Sequence, residues 1–227
     1  MREGTGESLL VLSIELGGTN QRAAIIEVNL SDLPSSRVLD FVKTACSSLA
    51  EFLHVLETYK ARTFDRIAVA SFGPIDLAAG AAFGTLRTSQ CKAKRAWDGF
   101  NPVAALQDMF GKPVLIETDV NSSAVGELLF GNLQATLALP RIDSLAYVTV
   151  GTGVGVGVVV NGRPVHGLLH PEAGHMLVPL LPEDAALPSA CSFHSACVEG
   201  RCSIEYLTRV IGCTQAQLPL HQQHAFF

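Results

Sequence analysis

The chain has 227 residues, of which 48% are hydrophobic and 16% charged, and its net charge is −5 with histidine neutral. That length allows one large domain or two small ones with a real apolar core. The acidic balance excludes a general attraction to nucleic acid or anionic membrane surfaces, although backbone N–H groups can still build a local anion site.

The longest apolar stretch, Leu145 to Val160, is broken by Gly151, Gly153, Gly155 and Gly157. It falls short of the roughly 20 apolar residues a membrane helix needs. Glu3 and Glu7 precede the first apolar run, which suits a secretory signal poorly. A soluble cytoplasmic protein with no membrane partner is the expectation.

In chain order, Leu9 to Leu16 and Ala23 to Val28 are apolar runs on either side of Gly17-Gly18-Thr19, which predicts two strands joined by a glycine turn. Leu30 to Pro34 reads as a loop. Apolar residues at Leu49, Phe52, Leu53, Leu56 and Tyr59 have helical spacing and predict a helix over roughly residues 44 to 60. Ile67 to Ala70 reads as a short strand ended by Phe72-Gly73-Pro74, and residues 78 to 99 as irregular. Asn101-Pro102 has the form of a helix start, with Val103, Leu106 and Phe110 on one face. Val114 to Ile116 predicts a strand, and the following helix stops at Gly131. Leu145 to Val150 and Val154 to Val160 form a second glycine-turn hairpin, with a tight turn at Asn161-Gly162. Beyond Leu169 the chain is loop-like until a helix over Cys202 to Ile211.

Four constellations carry chemistry. In Glu15-Leu16-Gly17-Gly18-Thr19, glycines at a strand end let backbone N–H groups approach an anion, Thr19 adds a hydroxyl, and Glu15 offers a carboxylate to Mg²⁺. The alternative is an ordinary hairpin turn. Gly151-Thr152-Gly153-Val154-Gly155 follows the same logic, against a glycine-rich buried hairpin; it is neither a Walker loop nor a dinucleotide fingerprint. Glu117-Thr118-Asp119-Val120-Asn121 lies at a strand end before a helix, where Asp119 is placed as a general base for a hydroxyl. The alternative is that Asp119 or Asn121 only caps the helix.

The fourth is the cysteine cluster. Of Cys46, Cys91, Cys191, Cys197, Cys202 and Cys213, three fall within twelve residues. Cys191-x-x-His194-x-x-Cys197 with His175 upstream fits a closed tetrahedral Zn²⁺ site. Two free cysteines and two surface histidines are the alternative.

The sequence resembles the family of repressors, open-reading-frame proteins and kinases, the ROK family, and within it the fructokinase branch. The residues that carry this are Ile14–Thr19, Ser71-Phe72-Gly73-Pro74-Ile75-Asp76, Glu117–Asn121, Val150–Gly155, His170-Pro171-Glu172-Ala173-Gly174-His175, and the cluster ending in Cys197-Val198-Glu199-Gly200. Glu15, where most of the family has Asp, and the Cys-x-x-His-x-x-Cys form are similar to the fructokinase branch.

The resemblance implies an actin-like, ribonuclease H-like α/β fold of two lobes with the sugar in the cleft. Residues 1–115 would form the first lobe and 116–227 an incomplete second. It implies Asp119 as catalytic base; Asn121, Glu172 and His175 at the hexose; Glu15, Gly17, Gly18, Thr19, Gly151, Thr152, Gly153 and Gly155 at the phosphates of ATP with Mg²⁺; and His175, Cys191, His194 and Cys197 on structural zinc. Family chains continue beyond this C-terminus, so the adenosine side of the ATP site is expected to be missing. The segment Phe83 to Trp97 aligns with a substrate loop but lacks its usual proline. The expected function is phosphorylation of a hexose, fructose first. A sugar-binding or partner protein that has lost catalysis is the alternative, and an acidic chain with no room for a helix-turn-helix argues against a regulator. A homodimer stays open.

Overall fold

The structure, a computed structural model, describes residues 8–17, 20–45, 48–131, 142–167 and 169–212. Two compact units divide the chain. The larger comprises Met1–Leu145 and Gly157–His170, the smaller Ala146–Val156 and Pro171–Phe227.

The larger unit is built on a five-stranded sheet of order β3-β2-β1-β4-β5. β1 (Ser8–Leu16) and β2 (Gln21–Asn29) form the expected antiparallel hairpin. β3 (Arg37–Thr44) pairs antiparallel with β2 at one edge. β4 (Arg66–Ser71) and β5 (Val114–Thr118) run parallel to β1 on its other side. Every second residue of the central strands faces one core: Leu12, Ile14 and Leu16 from β1, Ala23 and Ile25 from β2, Ile67 and Val69 from β4. Phe52 and Leu56 of α1 (Leu49–Glu57) and Val103 and Leu106 of α2 (Pro102–Phe110) join that core. Trp97 is buried there too, in ring contact with Phe52, Phe72 and Phe100.

The helix expected over residues 44 to 60 is shorter. Ser48 caps α1 by accepting the Glu51 N–H, and a 3-10 turn over Thr58–Ala61 carries the last periodic residue, Tyr59. Of the expected span, Thr44 is the last residue of β3 and residues 46–47 lie outside the described residues; β3 is an edge strand whose Val38, Leu39 and Phe41 are all more than half exposed. Its half-buried positions are Asp40, Val42 and Thr44 while Leu39 and Phe41 are exposed, so hydrophobicity does not follow burial along β3.

Asn101 caps α2 through the Ala104 N–H with Pro102 in the first turn, as expected, and Gly111 ends the helix in the left-handed conformation. α3 (Asp119–Phe130) follows β5 without a loop, packs on β4 and β5, and ends at Gly131. The strands β6 (Leu145–Val150) and β7 (Val154–Val160) are hydrogen-bonded neighbours joined through Gly151–Gly153, and β8 (Arg163–Pro164) pairs with β7 across the Asn161-Gly162 turn. The chain passes between the units within β6 and β7.

The smaller unit is mostly irregular after Pro171. It contains a 3-10 turn over Ala173–His175, then α4 (Val198–Cys202) and α5 (Ile204–Ile211). α5 is the helix expected over 202–211, begun two residues later at Ile204, where Ser203 caps it by accepting the Tyr206 N–H; α4 was not expected. Among the described residues no helix is long and apolar enough to cross a membrane.

Candidate active site

The register of the larger unit brings three strand ends to one level. Leu16 lies opposite Ser71, and Ser71 opposite Thr118, in parallel strands. Gly17, Phe72 and Asp119 therefore leave the sheet side by side at the carboxyl ends of β1, β4 and β5. That edge is where open α/β sheets place their ligands, because loops and helix starts there present unpaired backbone groups.

Gly17 turns tightly at the end of β1. Its N–H donates to the Asn20 carbonyl at 3.2 Å and to Gln21 Oε1 at 3.1 Å. A side chain at this position would collide with the Asn20 carbonyl, so only glycine fits. Gly18 and Thr19 lie outside the described residues. Glu15 is paired with Arg22, its cross-strand neighbour in the hairpin.

Asp119 is the first residue of α3. The cap of that helix is Thr118, whose hydroxyl accepts the Asn121 N–H at 3.1 Å. Capping is thereby discharged by a neighbour, while Asp119 Oδ1 accepts the Val120 N–H of its own helix at 2.9 Å. Burial pushes its pKa up from 3.8 to about 6; the Val120 N–H opposes this, Glu15 adds to it, and Lys94 opposes it. A carboxylate with that pKa is a stronger base than an ordinary one and is still ionised above pH 7.

Asn121 is fully buried, and its amide is engaged at both ends. Oδ1 accepts the Val158 N–H at 2.9 Å, while Nδ2 donates to Glu117 Oε1 at 3.2 Å and to the Val165 carbonyl at 3.4 Å. It is a strut tying the start of α3 to β7 and the segment after β8. Gly157 permits this close approach, since a Cβ there would overlap the Val120 carbonyl and the Asn121 N–H. Glu117 in turn bonds His166 Nε2 at 2.6 Å. Nearby, His170 Nε2 accepts the Ile75 N–H at 3.3 Å, and burial holds this imidazole toward its neutral form.

In the smaller unit the second glycine turn is held from several sides. Gly151 N–H bonds the Gly153 carbonyl at 2.8 Å, the Ile204 N–H bonds the Gly151 carbonyl at 2.8 Å, and the Val154 N–H bonds Glu199 Oε2 at 3.1 Å. Glu172 has φ 46° and ψ 38°, a left-handed conformation that a non-glycine residue holds only under constraint from its surroundings. His175 closes the 3-10 turn that follows.

His175, Cys191, His194 and Cys197 converge, with all four ligand atoms within 4.8 Å of one another. Cys191 Sγ lies 3.5 Å from His175 Nδ1 and 3.7 Å from His194 Nδ1, and Cys197 Sγ lies 3.9 Å from His175 Nδ1. A tetrahedral metal with Zn–S about 2.3 Å and Zn–N about 2.0 Å requires S···N edges of about 3.5 Å. Both sulfurs accept backbone N–H bonds, Cys191 from Phe193 at 3.4 Å and Cys197 from Gly200 at 3.3 Å. The donor set fits a structural metal ion.

The ROK family pattern matches residues 11–225. The chain belongs to the ROK family. Among its relatives, the fructokinase of Zymomonas mobilis subsp. mobilis is 35% identical over 193 residues, covering 84% of this chain and 61% of that protein. The fructokinase of Streptococcus mutans is 32% identical over 196 residues, covering 85% and 62%. This ROK chain thus spans about three fifths of the length of these two relatives. Among solved structures, the ROK hexokinase of Thermus thermophilus superposes with a TM-score of 0.64 at 22% identity, over 96% of this chain and 72% of that one. The ROK glucokinase of Streptomyces griseus, solved with glucose and AMPPNP, gives 0.62 at 21% identity, over 88% and 59%. These establish the expected actin-like α/β fold.

Of the candidate residues, the larger unit assembles Glu15, Gly17, Asp119 and Asn121, and the smaller assembles Gly151, Thr152, Gly153, Gly155, Glu172 and the four metal-ligating side chains. Sequence reasoning passed over Lys94, the Glu117–His166 pair and the Glu199 contact to the second glycine turn. Glu199 stands in a quoted motif, so its position was available. Lys94 is one of several basic residues in an irregular stretch, and nothing in that stretch distinguishes it.

Proposed function

We propose that this ROK protein is an ATP-dependent hexose kinase acting in the cytoplasm, with fructose as the first substrate to test and fructose 6-phosphate as product. The observation that carries the reading is Asp119: a half-buried carboxylate with its pKa raised to about 6, at the carboxyl ends of three parallel strands, and not used as the helix cap. In the proposed reaction Asp119 accepts the proton of a sugar hydroxyl. That oxygen forms its bond to the γ-phosphorus as the bond from phosphorus to the β–γ bridging oxygen breaks, and ADP leaves. ATP with Mg²⁺ supplies the phosphoryl group and its charge compensation. Glu172 and His175 serve the hexose, and the two glycine turns serve the phosphates.

The four-residue cluster holds Zn²⁺ in this reading and is structural, since all four positions are filled by protein. The fructokinase relatives support the choice of sugar. A coupled assay with ATP and a hexose panel tests the function, with Asp119→Asn as its control. The variant should lower kcat by at least ~10² while leaving the fold intact. Comparable turnover in the variant removes Asp119 from the role, and inactivity of the parent chain toward every hexose removes the kinase reading.

A further inference from the structure

The loop before α2 places one cation at the three strand ends described above. Lys94 Nζ donates to the Gly17 carbonyl at 3.2 Å, at the end of β1. The same ammonium lies 4.3 Å from the centre of the Phe72 ring, at the end of β4. Asp119, the residue after β5, acts electrostatically on the same ammonium. The lysine is half buried, and burial alone disfavours its charged form. A cation is kept there by a carbonyl, an aromatic face and a carboxylate acting together. The 3-10 turn over Lys92–Trp97 that carries it is anchored by Trp97 in the apolar core and by Thr88, whose hydroxyl donates to the Lys94 carbonyl at 2.8 Å. The position of Lys94 is therefore fixed by the fold.

We propose that Lys94 is a positioning residue of the phosphoryl-transfer centre, its ammonium held over the ends of β1 and β4 so that Asp119 stays an ionised, correctly placed base. The proposal rests on the kinase reading above for its purpose, though not for its geometry. The charged groups that act on Asp119 are Glu15 from β1, itself paired with Arg22 of β2, and Lys94. Glu117 at the end of β5 is bonded to His166 and Asn121. Lys94 is thus the cation that acts on Asp119 among the described groups, set against burial and Glu15, which both favour the protonated acid.

The test is a carboxyl ¹³C NMR titration of Asp119 in the whole chain without nucleotide or sugar, the resonance assigned with Asp119→Asn. Lys94→Gln keeps a donor for Gly17 and removes the charge, whereas Lys94→Arg keeps the charge. The midpoint in Lys94→Gln should rise by roughly half to one unit, as loss of one nearby cation requires. In Lys94→Arg it should stay near that of the parent. In a chain active toward a hexose, the acidic limb of the kcat–pH profile should move upward with it. A midpoint unmoved or lowered in Lys94→Gln, with circular dichroism unchanged, overturns the proposal, as does an equal rise in Lys94→Arg. If no hexose is phosphorylated the kinase reading fails by itself, because the titration still decides whether Lys94 governs Asp119.

Discussion

The glycine turn after β1 stands on a continuous apolar core, whereas the glycine turn after β6 stands on hydrogen bonds and on a cluster of metal-ligating side chains. Around the first, Leu12, Ile14, Leu16, Leu56, Ile67 and Leu106 are essentially without solvent contact. In the smaller unit the buried apolar residues are few, Val154, Cys197 and Tyr206 among them, while Met176, Leu177, Leu181 and Phe193 are half or more exposed. What organises it instead is polar. Cys197 caps α4 through the Gly200 N–H, Glu199 two residues on holds the Val154 N–H, and Ile204 holds the Gly151 carbonyl. The metal-ligating segment and the second glycine turn are consecutive parts of one hydrogen-bonded assembly. Two turns of similar sequence thus owe their shape to different forces, hydrophobic burial in one case and hydrogen bonds in the other.

The comparison breaks most sharply on removal of the metal. Structural zinc contributes on the order of 10 kcal/mol to small domains that lack a large core. Chelation, or Cys191→Ser with Cys197→Ser, should abolish amide protection over residues 171–209 and at Val154 while leaving β1 and β4 protected, as hydrogen exchange followed by mass spectrometry would report. Metal analysis should give about one equivalent of zinc per chain beforehand. Uniform loss of protection in both units would show that the metal supports the whole molecule, and absence of metal would remove the basis of the contrast.

The converse cut is Leu56→Ala. It should cost about 2–5 kcal/mol, the range for deleting a fully buried leucine, measured by urea unfolding of the larger unit, and leave the zinc content unchanged. Metal lost in proportion would mean that the two units fold as one.

These contrasts bear on how much was legible in the sequence. The β1–β2 hairpin, the Asn101-Pro102 helix start, the α3 stop at Gly131 and the metal cluster are written in local signals, where spacing and turn chemistry suffice. β3 was not legible, because its half-buried face carries Asp40 and Thr44 beside Val42 while Leu39 and Phe41 are exposed, so its apolar residues do not mark its inner face. α4 was missed because five residues are too few to display a helical period. At the site, the position of Asp119 at a strand end could be read, but its surroundings could not. Lys94 reaches Gly17 from 77 residues away, and Asn121 is engaged by groups 37 and 44 residues further on. Contacts at that range follow from the sheet register, which no window of sequence contains.

A smaller effect sharpens the contrast within the larger unit, where the apolar core stabilises and the carboxylate at its edge opposes. Burial raises the Asp119 pKa above its ordinary value, so folding favours the protonated acid. Its contribution is fully present below pH 3.8 and is lost as pH rises through about 6. Asp119→Asn should therefore be more stable than the parent at pH 7.5, by up to about 3 kcal/mol for a shift near two units, and equal to it near pH 3.5. Denaturant midpoints at the two pH values check this. A gap of the same size at both would assign the gain to something other than charge.

Gly157 has a consequence for what the chain can become. The start of α3 rests directly on the backbone of β7, with no side chain between them and the Asn121 amide closing the join. Any residue other than glycine at 157 pushes on the Val120 carbonyl, one peptide from Asp119. A saturation library at this position, selected for activity, should return glycine alone, while Gly126, on the same helix and facing open space, should accept many replacements. Two glycines with the same chemistry would then have opposite mutational tolerance, one set by contact with the first turn of α3 and the other by open space.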